Sequence, residues 1–461
     1  MTSTGGRRLT LAGSITGAAV VALDGTVLTV AQPSMQRDLH ASFAAVQWTS
    51  TAYLIAVASL LVFAGRLGDR YGHPRVFAAG VLGFAASSAA IAVAPGVGWV
   101  IALRALQGVA GALLQPATLG MLRAAYPADR LAMPIALRTS AIGLAAAAGP
   151  VVGGALTTHL GWRAVFLLTV APAAAAGLAA LVVRLPQPPR DRSAGLDLPG
   201  AGLLAAALVC LVHTLVGLPA HGPRATTVLG LLAAGLLATA FVRHERRTAR
   251  PLLPPDVLGS RTVASGLAVL LAASATLFGT LFLSTYFLQD VLGLDPLGSA
   301  VRALPLAVTM VLAAPASAVL LRRHGARRTV GAGMALITAG TLLVSRFDHS
   351  SGPLAIGSAF VLLGTGFGAV MVTTTTVLVR DASVRDAGVA GGLQQTAMNV
   401  GPALGVAVAT TLTAGRPLAG ALGPALLVLA AVAAAGTLAT RRLPGHPRDA
   451  APADTAGTVT T

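Results

Sequence analysis

Asp24 stands well inside an apolar stretch running from about residue 10 to residue 32, and of the 15 acids in the chain it is the one so placed. A carboxyl at mid-helix in hydrocarbon costs about 2.5–3.5 kcal/mol on insertion scales. Burial disfavours the charged form, so such a group can take up and release a proton; it can also be a polar knot paired with a base. Arg104, in the fourth apolar block, is the complementary charge. It must face the interior of a helix bundle or a water-filled cavity, because facing lipid is too costly. It opens the string Arg104-Ala105-Leu106-Gln107-Gly108-Val109-Ala110-Gly111, whose glycines allow close helix approach and whose Gln107 reaches the same interior. Two readings stand side by side: Arg104 tunes the proton load on Asp24 as the bundle moves, or the two make a static stabilising pair. Arg138, in the fifth block, lies about two turns from a helix end, within snorkelling reach of water.

Two glycine-bearing strings could control helix contacts. In Gly65-Arg66-Leu67-Gly68-Asp69-Arg70-Tyr71-Gly72-His73-Pro74-Arg75 the glycines permit a tight turn between antiparallel helices. Asp69 is placed to meet the positive end of a neighbouring helix dipole, with Arg70 and Arg75 beside it. A plain connecting turn needs neither Asp69 nor the glycine spacing. The residues Gly149, Pro150, Gly153 and Gly154 put small side chains on one helix face next to a proline kink. That pattern spells a tight contact sealing one side of a cavity, or generic small-residue packing.

The elements that carry these residues are legible from composition. The chain has 461 residues, 55% hydrophobic and only 10% charged, whereas a soluble domain is about 25% charged. About fourteen apolar blocks near 20 residues long predict an all-α membrane protein, and no block alternates as a barrel strand would. The net charge of +17 does not point to nucleic acid. There is no lysine, and roughly 24 arginines fall in alternate gaps and tails against about 6 on the other side, the signal of cytoplasmic loops. Arg184, Arg190, Arg192 and Arg250 belong to that set. Both termini are thereby placed in the cytoplasm of a multi-pass protein of the cell membrane. Cys210 is a lone packed hydrophobe, and no metal or cofactor is implied. The first block reads as an uncleaved helix, without a convincing cleavage site.

A weak repeat organises the blocks. Gly149-Pro150-Val151-Val152-Gly153 recurs as Gly401-Pro402-Ala403-Leu404-Gly405, and 70–75 recurs loosely as 323–328, about 252 and 253 residues on. This predicts a cytoplasmic tail (1–9), a six-helix half (10–184), two inserted helices with flanking loops (185–261), a second six-helix half (262–442) and a disordered tail (443–461). A monomer in contact with membrane lipid is expected. No embedded catalytic pair accompanies His213, so an enzyme is not predicted.

Together these strings resemble the major facilitator superfamily, in its fourteen-helix drug:proton antiporter branch of actinobacterial type. The resemblance covers nearly the whole chain. Leu23-Asp24-Gly25-Thr26-Val27 through Pro33 is similar to the branch's first-helix motif, 65–75 to the signature loop, and Arg104–Gly111 to the fourth-helix motif. Gly149–Gly154 is similar to the end of the antiporter motif, and 387–408 to a late helix of the branch. The resemblance implies proton sites at Asp24 and Arg104 and proton-driven export of organic compounds, often antibiotics. Several residues depart from the family pattern. Thr29 replaces an asparagine, His73 and Pro74 replace two basic residues, which weakens a latch, and Ala136 and Ala145 replace glycines. Tyr53, Gln107, Tyr286, Gln394, Gln395 and Asn399 are candidate cavity residues, equally readable as packing. A cavity poor in acids suits neutral, zwitterionic or weakly charged substrates. The rival readings are a proton-coupled uptake symporter and a membrane sensor or receptor.

Overall fold

A computed structural model of the chain describes residues 4–41, 43–182, 197–221, 225–248, 251–253, 259–294, 296–381, 387–413 and 418–444. Among them every regular element is helical. The long helices are α1 (Thr4–Asp38), α2 (Phe43–Tyr71), α3 (His73–Ala92), α4 (Val97–Ala125), α5 (Ala132–Leu160), α6 (Arg163–Val182) and α7 (Leu198–His221). They continue as α8 (Ala225–Glu245), α9 (Arg261–Tyr286), α10 (Pro296–Val344), α11 (Pro353–Asp381), α12 (Ala387–Thr413) and α13 (Leu418–Ala439). Arg184, Arg190, Arg192, Arg250, the tail from 445 and the side chains of Thr29 and Pro150 lie outside the described residues.

Among the described residues, 12 stretches are long and apolar enough to cross a membrane. One of these, Val301–Val344, is 44 residues long and spans a break in α10. The break is Gly325, at φ 79°, which leaves arms at 296–324 and 326–344. Helix α12 is not among the 12, because Gln394, Gln395 and Asn399 dilute its apolar run.

The apolar core falls into two large pieces. One gathers Val57, Leu61, Phe77, Phe84, Leu114 and Met121 from α2–α4. The other gathers Leu270, Leu283, Met334, Ile337, Phe360 and Leu426 from α9–α13. The same device fixes a helix pair in each. Gly149 and Gly153 set α5 directly on Thr26 and Val27 of α1; a Cβ at Gly153 would stand 2.8 Å from Val27 Cγ1. Gly401 and Gly405 set α12 on Ser274 and Ala275 of α9, and a Cβ at Gly401 would stand 2.6 Å from Ser274 Cβ. Gly72 (φ 97°) turns the chain between α2 and α3 as Gly325 does within α10. Glycine alone adopts these angles without strain.

The stretch expected to be a loop, 65–75, is mostly helix. α2 continues through Tyr71, and Gly72 alone separates it from α3. The reason is packing, because Gly65 lies directly on Gly388 of α12 and holds the last turns of α2 in register.

The two cores meet at the end of the bundle where Arg66, Arg70, Arg123, Arg322, Arg323 and Arg380 gather. There Gly65 and Gly392 bring α2 against α12. Ala132 and Ala136 of α5 pack on Ala314, Ala318 and Val372. The two alanines at family glycine positions divide accordingly: Ala136 is buried in this seam, and Ala145 is half-buried. Helices α7 and α8 pair with each other, and α7 rests on α2 and α12. Arg66 Nη2 donates to Pro251 O at 2.9 Å, and Trp48 stacks on His213 at 5.6 Å. At the opposite end Asp38 accepts from Trp162 Nε1 at 2.9 Å and pairs with Arg163. Those two hydrogen bonds hold its carboxyl below the usual range.

Adding one methyl at Gly405 forces it onto the carbonyl of Ala275, which cannot swing away. Gly405→Ala should cost about 1–3 kcal/mol, read as a lowered unfolding midpoint in detergent. Gly154→Ala should leave the midpoint unchanged, since the nearest atom is Val30 Cγ1 at 3.9 Å.

Candidate functional site

The α1–α5 glycine contact fixes the height of Asp24, which lies one turn before Val27. On α4, Arg104 and Gln107 are three residues apart and share a face. Gly108 brings that helix against α2, where a Cβ would stand 2.6 Å from the Tyr53 carbonyl. Three helices thus deliver four polar side chains to one point inside the first core.

Asp24, Arg104 and Gln107 are 4%, 1% and 0% exposed. Arg104 Nη1 donates to Asp24 Oδ2 and to Gln107 Oε1, both at 2.6 Å. Its Nε donates to the Thr49 carbonyl at 3.1 Å, and the guanidinium lies 4.3 Å over the Tyr53 ring. Gln107 Nε2 donates to Asp24 Oδ1 at 3.2 Å and to Ser88 Oγ at 2.7 Å. Thr169 Oγ1 donates in turn to Ser88 at 3.3 Å. The network runs from α1 through α4 and α3 to α6.

This arrangement has a chemical consequence. Neutralising Asp24 removes one of its partners from Arg104 but leaves the Thr49 carbonyl, the Gln107 amide oxygen and the Tyr53 face. A guanidinium so held keeps its position, and a cation over an aromatic ring gains about 0.5–2 kcal/mol. Arg104 therefore does not depend on Asp24 alone for its anchorage.

A second acid works at the seam between the cores. Asp69 accepts from the amides of Gly388 at 2.9 Å and Val389 at 3.2 Å, the first turn of α12. A carboxylate at a helix N-terminus satisfies free N–H groups and meets the positive end of the dipole. His73 fills a slot walled by Gly68, Gly120 and Gly388, with its Nε2 3.2 Å from Asp69 Oδ1. It therefore stands inside the contact that its departure from the family pattern was expected to weaken. Arg70 lies over Tyr71 at 5.5 Å, and Arg75 is exposed.

The six candidate cavity residues do not converge. Tyr53 and Gln107 belong to the Asp24 network. Gln395 on α12 donates to Gln115 on α4, and Asn399 Nδ2 bonds the Gln395 carbonyl at 2.8 Å. Gln394 is fully buried, with no partner for either amide atom among the described residues. Tyr286 is half-exposed at the far end of α9, against Phe282. Sequence reasoning missed Ser88, Thr169 and Gln115. Small polar residues in apolar blocks are too common to stand out, and only their meeting marks them.

The family model of the Major Facilitator Superfamily matches residues 15–406. The chain belongs to the major facilitator superfamily. It is 42% identical over 408 residues to the "Tetracenomycin C resistance and export protein" of Streptomyces glaucescens, covering 88% of this chain and 76% of that one. It is 35% identical over 450 residues to the "Cephamycin export protein CmcT" of Amycolatopsis lactamdurans, covering 94% and 92%. These relatives place it in the superfamily's drug-efflux branch. The fold is similar to that of the human organic anion transporter MFSD10, with a TM-score of 0.69, 15% identity, and 95% and 100% of the two chains covered. A superfamily member of this kind is a multi-pass transport protein and not an enzyme.

The two sides of the buried pair are not equivalent. Arg104→Gln leaves the Asp24 carboxylate only the Gln107 amide and should destabilise the folded protein by about 3–5 kcal/mol, whereas Asp24→Asn leaves Arg104 its other anchors and should cost less. The double variant should lose less than the two single losses added together. Melting the three purified variants side by side checks this, and strict additivity would show that the pair is not coupled.

Proposed function

We propose that this protein exports small amphipathic organic compounds across the cytoplasmic membrane in exchange for protons, by alternating access. The observation that carries the reading is the Asp24–Arg104–Gln107 network, in which an acid can load a proton while its arginine keeps other anchors. The named exports of the relatives, tetracenomycin C and cephamycin, are the first substrates to test. One elementary charge crossing ~100 mV yields about 2.3 kcal/mol, enough for a roughly fifty-fold gradient.

The arginine-rich end is the cytoplasmic face in this reading, which puts both termini inside. Fourteen segments cross: the two arms of α10 separately, α12 in spite of its polar residues, and the other helices once each. They make two six-helix halves, α1–α6 and α9–α13, with α7 and α8 inserted between. The protein works as a monomer, and no cofactor takes part. The seam at the arginine-rich end is a closed cytoplasmic gate. Asp69 of α2, bound to the first amides of α12, latches it, and release of that latch lets the halves part.

Inside-out vesicles test the reading. With an acidified lumen, the wild type should accumulate tetracenomycin C or cephamycin, a protonophore should abolish the accumulation, and Asp24→Asn should not accumulate either. Uptake into whole cells without accumulation in vesicles would indicate a symporter. Equal accumulation by Asp24→Asn would remove that residue from the coupling.

A further inference from the structure

Arg138 is a second arginine inside the bundle, 1% exposed and among the largest fully buried side chains. It differs from Arg104 in one respect. Its Nε and Nη1 are enclosed and have no hydrogen-bond partner among the described residues. Nor do the buried acids among the described residues supply a counter-charge. The buried acids among the described residues are Asp24, Asp69, Asp197 and Glu245, and each is engaged elsewhere. Asp24 holds Arg104, and Asp69 holds the α12 amides. Asp197 holds His244 and the Gly200 amide, and Glu245 holds the amides of Leu252 and Leu253. An uncompensated buried charge costs several kcal/mol. Water at a helix end does not relieve it, because the side chain does not reach the surface.

The position of Arg138 says what could relieve it. On α5 it lies between two sets of residues that grip the other half. Ile135 packs with Val379, and Ala136 with Ala314, Ala318 and Val372. On the far side Ser140 Oγ donates to the Val311 carbonyl at 2.9 Å, and Gly143 meets Val311 and Met310. Arg138 is thus built into the seam that must open for the arginine-rich end to admit anything. Other unsatisfied polar groups lie in the same sealed end: both amide atoms of Gln394 and the hydroxyls of Thr373, Thr374 and Thr375. Arginines around the rim add a positive potential that draws anions toward the opening.

We infer that Arg138 is a substrate-binding residue that takes the carboxylate of an exported compound when the seam opens. This rests on the transport reading above and narrows it to organic compounds bearing an anionic group. A carboxylate accepts charge-assisted N–H···O bonds from a guanidinium, and Arg138 has its Nε and Nη1 donors free to make them. Asp24 and Arg104 face each other, so the substrate anion at Arg138 and the proton at Asp24 occupy different sites.

The test compares two fluorescent probes of one shape, anthracene-2-carboxylate and the neutral anthracene-2-carboxamide. Their equilibrium binding is measured on the purified full-length protein in lipid nanodiscs. The wild type should bind the carboxylate at least about tenfold more tightly. Arg138→Gln should bring the carboxylate down to the level of the carboxamide and leave carboxamide binding unchanged. Arg138→Lys, which keeps the charge and loses the guanidinium donors, should retain only part of the preference. No preference in the wild type, or a preference that survives Arg138→Gln, overturns the inference. Should Arg138→Gln fail to fold, an undiminished ratio in Arg138→Lys overturns it. The measurement needs no proton gradient, so failure of the vesicle experiment would sink proton-driven export and leave this result readable.

Discussion

Hydrocarbon offers no hydrogen bonds, so every polar group that enters it must find its partner within the protein. That constraint accounts for the all-helical build, because a helix satisfies its own backbone. It also accounts for the way Arg104 and Asp69 are treated, and it makes Arg138 the exception. Arg104 is held by a carboxylate, two further oxygens and a ring. Asp69 is held by two free amides at the start of α12. Polar residues in this bundle are therefore concentrated where helices meet, and those meetings carry the function.

The same constraint removes the ordinary driving force for helices to associate. Lipid tails are as apolar as leucine, so packing has to come from close backbone approach. Gly149 and Gly153 of α5 packed against α1, and Gly401 and Gly405 of α12 packed against α9, supply it once in each half. Contacts of backbone on backbone do not stretch. They make each half stiff, and the same device recurs at the seam, where Gly65 lies on Gly388 and Gly392 on Leu61 beside the alanine, valine and carboxylate contacts.

Much of this was readable in the residues. Asp24 and Arg104 declared themselves as lone charges in apolar blocks, and their pairing at 2.6 Å is the cheapest solution for both. The recurrence of 70–75 at 323–328 corresponds to Gly72 and Gly325, both at positive φ. Other features had no signal. The helical state of 65–71 depends on α12 lying beside it, a contact more than 300 residues away in the chain. The burial of Arg138 was equally hidden, since two turns from a helix end usually means access to water. Here helices from both halves cover that end. Nothing in the spacing of Gln395 announces Gln115, and the bond between them exists only because the halves meet.

The inserted pair bears on how the bilayer itself meets the protein. Helix α7 lies on both α2 and α12, with Trp48 against His213 and Arg66 against Pro251 binding the pair to α2. The groove where α2 and α12 come together is thereby walled off from the surrounding lipid. The corresponding groove between α5 and α10 has no such wall from α7 or α8. A compound dissolved in the membrane thus meets an asymmetric molecule, with α7 and α8 covering one flank and not the other among the described residues. The flank they leave is the one where α5, the helix that carries Arg138, meets α10.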